Sequence, residues 1–104
     1  MLPLKPADFH ILLALNEGPR HGYEIMKEVE RESGGEVRLE VGTLYRILAR
    51  LLEEGLLQEA AAEGRRRNYS LSRPGRRALR SEAARLAGVV DQLRARKLLP
   101  NSES

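Results

Sequence analysis

The sequence predicts a mainly α-helical fold with one small β-hairpin, and three observations support this prediction. Apolar residues recur at helical spacing in three segments of the first half, and each segment is followed by glycine. Two short segments within residues 57–71 flank a turn at Glu63-Gly64, which is typical of a hairpin. A long helical segment follows from residue 73. Three helices followed by a hairpin is the element order of a winged helix-turn-helix.

Length and composition indicate one small domain of ordinary soluble type. The chain has 104 residues, of which 41% are hydrophobic and 32% charged. No apolar run approaches the roughly 18 residues that a membrane span needs, and the N-terminal residues lack the features of a signal peptide. Because cysteine is absent, a disulfide framework, a thiolate metal site and a cysteine nucleophile are excluded. We therefore expect a cytoplasmic protein without membrane contact.

The first two helices and a short extended segment are predicted as follows. Residues 7–16 are apolar nearly all round, which predicts a buried helix that ends at Gly18-Pro19. A second helix is expected from His21 to Glu32, with Ser33-Gly34-Gly35 as its stop. Residues 36–39 are expected to form a very short strand.

The third helix, expected from Val41 to Glu54, has a core side and a basic side. The core stripe is Val41, Leu44, Leu48, Leu51 and Leu52. Thr43, Arg46 and Arg50 fall within one narrow arc on the opposite side. Gly55 fits a left-handed C-terminal cap.

The hairpin is predicted from a strand over Leu57–Ala62 and a returning strand over Asn68–Leu71. Its tip carries three consecutive arginines, Arg65, Arg66 and Arg67. The weak point is the run of three alanines in the first strand, because alanine prefers helix.

The last helix is expected from Arg73 to Lys97, with Ser72 as its N-cap. Its apolar residues repeat at spacings of four and three, and they are Leu79, Ala83, Leu86, Val90 and Leu93. Such a seam is too narrow and too distal for the small core alone, so it predicts a partner helix. We therefore divide the chain into a winged-helix domain at 1–72, a dimerisation helix at 73–99 and a frayed tail at 100–104.

Charge is distributed unevenly along the chain. Residues 73–97 hold 8 Lys/Arg against 2 Asp/Glu, whereas residues 1–72 hold 10 against 12. This asymmetry suits a protein that turns one face towards a polyanion. Solvated faces that merely differ in sign are the alternative.

The basic side of the third helix has the chemistry that binding in the DNA major groove requires. The guanidinium groups of Arg46 and Arg50 can pair with guanine or phosphate, and Thr43 can donate to phosphate near the helix start. The arginines of the hairpin tip would lie along the adjacent backbone or minor groove. A solvated helix face and a soluble turn are the alternatives.

Catalytic chemistry is not indicated by any constellation in the sequence. The two histidines, His10 and His21, lack the cysteines or spaced carboxylates of a metal site. A nucleophile elbow and a phosphate-binding glycine loop are both missing. We expect no enzyme, no catalytic residue, no metal and no cofactor.

Several segments in order resemble the PadR-like regulators, the phenolic-acid decarboxylase repressor family. They are His21–Ile25 (HGYEI), Gly42–Leu48 (GTLYRIL), Leu51–Leu57 (LLEEGLL) and Arg67–Gly75 (RNYSLSRPG). The resemblance extends over about residues 5–97. This chain departs from the family at Arg46, where members often carry proline, and in its C-terminal part, which is the short type with a single helix and has no tryptophan for an aromatic ligand pocket. Ser72 takes the place of the family's threonine.

The resemblance implies a homodimer built on the last helix with help from the first, and repression by binding double-stranded operator DNA. It also implies release by a small-molecule effector. By position, Tyr45 and Tyr23 match two tyrosines of the family motifs, and Tyr45 either packs alone or also reaches phosphate. The alternative functions are a winged-helix protein-interaction module without specific DNA binding and a sequence-indifferent DNA binder.

Overall fold

The computed structural model describes residues 3–64 and 66–100. Its elements, in chain order, are α1 (Pro6–Ala14), β1 (Arg20–His21), α2 (Gly22–Glu32), α3 (Val41–Glu53), β2 (Leu57–Glu63), β3 (Arg66–Leu71) and α4 (Arg73–Ala95). This arrangement confirms the predicted winged helix with a long C-terminal helix. Within the described ranges, no helix combines the length and the apolar character that crossing a membrane requires. The predicted tail at 100–104 lies outside the described residues, except for Pro100.

The sheet has three antiparallel strands in the order β1-β3-β2. β2 and β3 form the predicted hairpin, with Leu57 opposite Leu71 and an irregularity between Ala60 and Glu63. The third strand is Arg20–His21, which pairs with Tyr69 and Asn68 of β3. It holds the start of α2 against the hairpin.

The predicted strand at 36–39 is wrong. Val37 and Leu39 are partly buried and pack against the core. The backbone N–H of Val37, however, donates to the Ser33 hydroxyl at 3.0 Å. The segment pairs with no strand among the described residues, so it lacks the backbone hydrogen bonds that define a strand.

The core is formed mainly where α1, α2 and α3 meet. Its fully buried large side chains are Ile11, Leu12, Leu15, Ile25, Val29, Leu44, Leu48 and Leu51. The core stripe of α3 is therefore confirmed in its middle turns. It is wrong at Val41, which is 58% exposed, because Val41 opens the first turn of the helix. α1 is further tied to α2 by His10, whose Nδ1 lies 3.0 Å from Glu32 Oε2.

α4 begins in close contact with the turn that follows α3. The Ser72 hydroxyl caps α4 as predicted, since it accepts from the N–H of Gly75 at 3.0 Å. It also donates to the carbonyl of Gly55, which has a φ of 79° as the left-handed cap requires. Gly75 is buried so tightly that an added Cβ would lie 1.9 Å from the carbonyl oxygen of Leu56.

The predicted apolar seam of α4 has two parts. Leu79 is 6% exposed and belongs to the core of its own domain. Leu86, Val90 and Leu93 are only half-buried, and Ala83 is exposed. The distal part of the seam therefore leaves apolar surface uncovered, while Leu79 already has packing partners.

Candidate nucleic-acid interface

α3 is buried on one side and presents a polar side to solvent. Leu44, Leu48 and Leu51 are at most 1% exposed. Tyr45 is 46% exposed, Arg46 is exposed and Thr43 is half-buried. Within the described residues, the Arg46 side chain takes part in no hydrogen bond or ion pair, so its donors are available to another molecule.

Arg50, predicted on the same face, has a different environment. Its Nη2 lies 2.7 Å from Oδ1 of Asp8 on α1, and its Nη1 lies 3.3 Å from Oε2 of Glu54. Asp8 is only 6% exposed. Hydrogen bonding to this carboxylate raises the pKa of the Arg50 guanidinium. Two carboxylates thus already occupy donors that the sequence suggested for DNA.

Tyr45 forms the floor of a cleft between the helices and the hairpin. Its ring lies directly on Gly22, where an added Cβ would be 2.3 Å from the Tyr45 hydroxyl. The cleft has a volume of about 450 Å³ and is lined by His21, Gly22, Tyr23, Tyr45, Arg66, Arg67 and Tyr69. Aromatic rings and guanidinium groups therefore share one opening.

The tyrosines of the cleft differ in accessibility. Tyr23 is 60% exposed, and Nζ of Lys27 lies 5.3 Å from the centre of its ring. Tyr69 is 3% exposed, and burial raises the pKa of its hydroxyl. Tyr69 is consequently a packing residue of the cleft, whereas the ring of Tyr23 faces outward.

The arginines of the hairpin lie next to the start of α2. Nη1 of Arg66 is 2.9 Å from Nε2 of His21, and Nε of Arg67 is 3.6 Å from Oε1 of Glu59. Both arginines are exposed. Arg65, the third arginine predicted for this site, lies outside the described residues.

His21 has a structural role that was not predicted from the sequence. Its Nδ1 accepts from the backbone N–H of Glu24, and the Glu24 carboxylate accepts from the backbone N–H of His21 at 3.1 Å. This capping box begins α2. A neutral imidazole accepts at one nitrogen only, so the cap bond and the Arg66 contact compete for the ring. The spacing of His21 and Glu24 is the signal that was available in the sequence.

The family of this chain is identified by a match to a family model. The model of the transcriptional regulator PadR-like family matches residues 11–81. The chain belongs to this family. The predicted resemblance is thereby confirmed, and the absence of enzymatic function that we expected agrees with a family of transcription regulators.

The PadR-like chain is also similar to a curated protein and to solved structures. It is 42% identical over 87 residues to an uncharacterized 37.1 kDa protein in transposon TN4556 of Streptomyces fradiae. That match covers 81% of this chain but 25% of the relative, so the chain spans a quarter of the relative's length.

Two solved structures show the likeness of fold. A PadR family transcription regulator from Clostridium difficile R20291 has a TM-score of 0.75 at 24% identity, covering 88% of this chain and 97% of that one. Bacillus subtilis PadR in complex with operator DNA has a TM-score of 0.66 at 22% identity, covering 74% of this chain and 46% of that one.

Proposed function

We propose that this PadR-like chain is a sequence-specific DNA-binding regulator that acts as a homodimer and represses transcription from a pseudo-palindromic operator. The observation that carries the proposal is the two-sided character of α3. Its apolar side is buried, while Tyr45 and Arg46 are exposed on the remainder of the helix. A helix that is anchored on one side and offers donors on the other fits the major groove.

Within α3 the proposed contacts divide by chemistry. Arg46 reads a base, because a guanidinium pairs bidentately with guanine and this one has no partner among the described residues. Thr43 lies in the first turn, where the hydroxyl and the free backbone N–H groups favour a phosphate. The hydroxyl of Tyr45 extends the phosphate contact into the cleft.

The hairpin and the start of α2 are proposed to hold the DNA backbone beside the groove. Arg66 and Arg67 are exposed cations, and Tyr23 adds an exposed ring at the same opening. Arg65 belongs to the proposal on its sequence position alone. The fold shared with Bacillus subtilis PadR, a protein solved with operator DNA, supports this arrangement.

α4 is proposed as the dimerisation helix, in accordance with a division at 1–72 and 73–99. The half-buried Leu86, Val90 and Leu93, with Ala83, would pack against the same residues of a second copy. Leu79 contributes by anchoring α4 to its own domain. Two groove helices would then stand about one DNA turn apart, ~34–36 Å, as a pseudo-palindrome requires.

Repression, release by a small-molecule effector and a cytoplasmic location complete the proposal. These three parts rest on the family rather than on individual contacts. A repressor of this kind works by occupying its operator, so affinity for DNA is the property that regulation must change.

The test is selection of DNA by the purified chain. The protein is incubated with sheared genomic DNA of its source organism at low salt, and the retained fragments are sequenced. The Arg46→Ala variant is the matched negative control, and Arg96→Ala, which removes the same charge at the exposed end of α4, is the matched positive control.

Enrichment of sites that share an inverted repeat, lost with Arg46→Ala and kept with Arg96→Ala, is the expected result. Retention without enrichment would instead identify a sequence-indifferent binder. Absence of retention at low salt would identify a protein-interaction module, because phosphate binding is strongest there.

A further inference from the structure

We infer that Asp8 and Arg50 form a positioning pair, which fixes the orientation of α3 on α1 so that Arg46 and Tyr45 face the DNA. Arg50 then influences DNA binding through Asp8 and does not itself touch DNA. This inference rests on the proposed function and adds a positioning role for Asp8 and Arg50 to it.

The contact joins two elements that are distant in the sequence. Asp8 lies in the first turn of α1 and Arg50 in the last turn of α3, 42 positions apart, with 2.7 Å between Oδ1 and Nη2. At this distance the contact is a charge-assisted hydrogen bond. Asp8 is 6% exposed, and Arg50 is its one side-chain partner among the described residues. Removing Arg50 would therefore leave the shielded Asp8 carboxylate without a compensating side chain.

The guanidinium is held from two directions. Nη2 is bound by Asp8 of α1, and Nη1 faces the Glu54 carboxylate one turn further along the chain. Because the guanidinium is planar with a fixed set of donors, two carboxylates determine its orientation as well as its place. α1 also packs against α2 and α4, so the Asp8–Arg50 contact fixes α3 relative to the rest of the domain.

The Asp8–Arg50 pair lies close to the proposed DNA contacts, on the same rigid helix. Arg46 precedes Arg50 by four residues, which is about 6 Å along the helix axis and nearly the same face. A rotation of α3 that follows loss of the pair would therefore carry Arg46 with it. Misplacement by about 1 Å is enough to lose a directional contact.

For the Asp8→Asn variant, a purely electrostatic effect and loss of positioning predict opposite changes in DNA affinity. Asp8→Asn removes a negative charge and so raises the formal net charge by one from +3, which should strengthen binding to a polyanion. Positioning instead predicts weaker binding. The direction of the change in DNA affinity therefore separates the two explanations. A residue with a purely structural role and no link to DNA binding would leave the affinity unchanged.

The experiment uses the full chain and a 30-base-pair duplex that the wild type has selected from a random-sequence library. Affinity is measured by fluorescence anisotropy at several salt concentrations for Asp8→Asn, Arg50→Gln and the double variant. Glu53→Gln is the control, because it removes an exposed carboxylate from the same turn of α3 and leaves the contacts of Arg50 with Asp8 and Glu54 in place. Urea unfolding of each variant shows that the protein is folded under the conditions of the titration.

Each single variant is expected to bind about tenfold more weakly, which is the order of effect for one lost base contact. The double variant should be no weaker than either single variant, since the two residues act as one unit. The dependence of affinity on salt should stay at the wild-type slope, because Arg46 is proposed to contact a base and Tyr45 is uncharged, so no pair of a cation with a phosphate is lost. Glu53→Gln should bind within about twofold of the wild type, because its carboxylate is exposed and touches neither Asp8 nor Arg50.

Wild-type or tighter binding by Asp8→Asn would overturn the inference. A salt slope reduced by about one in Arg50→Gln would also overturn it, and would make Arg50 a direct phosphate contact. If Asp8→Asn does not fold, the salt slope of Arg50→Gln decides by itself. A wild-type chain that selects no sequence would overturn the proposed function as well, so the two failures are distinguishable.

Discussion

Replacing Gly75 by alanine tests the junction that fixes the hairpin and α4 to α3. The new methyl group would lie 1.9 Å from the carbonyl oxygen of Leu56, which is a backbone atom that cannot swing aside. An ordinary contact needs about 3.4 Å or more, so the two segments must separate by roughly 1.5 Å. The same carbonyl accepts from the N–H of Ser72 at 3.2 Å, and the Ser72 hydroxyl caps α4. The substitution therefore strains a bond and a cap together.

The size of the effect follows from these contacts. A buried hydrogen bond left unmade destabilises by about 1–3 kcal/mol, and a weakened serine cap by about 0.5–2 kcal/mol. Alanine offsets about 0.8–1 kcal/mol of this through its better helix propensity. We expect the free energy of unfolding to fall by about 2 kcal/mol. For a domain of this size the midpoint of thermal unfolding would fall by roughly 10 °C.

Urea and thermal unfolding followed by circular dichroism measure this change, at one fixed protein concentration because a dimer's stability depends on it. Gly88→Ala is the matched control in the same helix, since an added Cβ there meets nothing within 4 Å. It should stabilise the protein by up to about 1 kcal/mol. A Gly75→Ala protein that is as stable as the Gly88→Ala protein would refute the reasoning from the Leu56 contact.

Three further predictions concern DNA binding and assembly. Gly22→Ala should displace the ring of Tyr45 and weaken binding to the selected duplex about fivefold or more. Gly42→Ala is the control, because an added Cβ there has open space around it, and it should bind like the wild type. Equal affinities of the two variants in a titration would contradict the role of the cleft. Arg46→Ala should weaken binding to the selected duplex by about 1–3 kcal/mol and relax specificity at the base pair that Arg46 contacts; wild-type affinity and specificity in a titration would contradict the base contact. Leu86→Asp should sediment as a monomer, since it buries a charge in the proposed seam; a variant that still sediments as a dimer would rule the seam out.

Local patterns in the sequence predicted the helices and their ends well. The apolar stripe of α3, the Ser72 cap of α4 and the left-handed Gly55 are each encoded within a few residues, because helix periodicity and capping are short-range effects. The exposed Arg46 was predicted for the same reason, since it lies opposite the buried leucines of its own helix. The order of elements then sufficed for the winged helix.

The tertiary structure decided the features that depend on distant partners. β1 is only two residues long, so no periodicity could announce it, and it exists because β3 offers an open edge to Arg20–His21. Arg50 follows Arg46 by one helical turn, as a residue of the groove face would, yet its guanidinium is paired with Asp8, which is 42 positions away in the sequence. Gly22 carries no side chain to reveal that the ring of Tyr45 rests on it. Composition and spacing thus determined which faces are apolar or charged, whereas three-dimensional packing decided which charges remain available to another molecule, because pairing depends on distance in space and not along the chain.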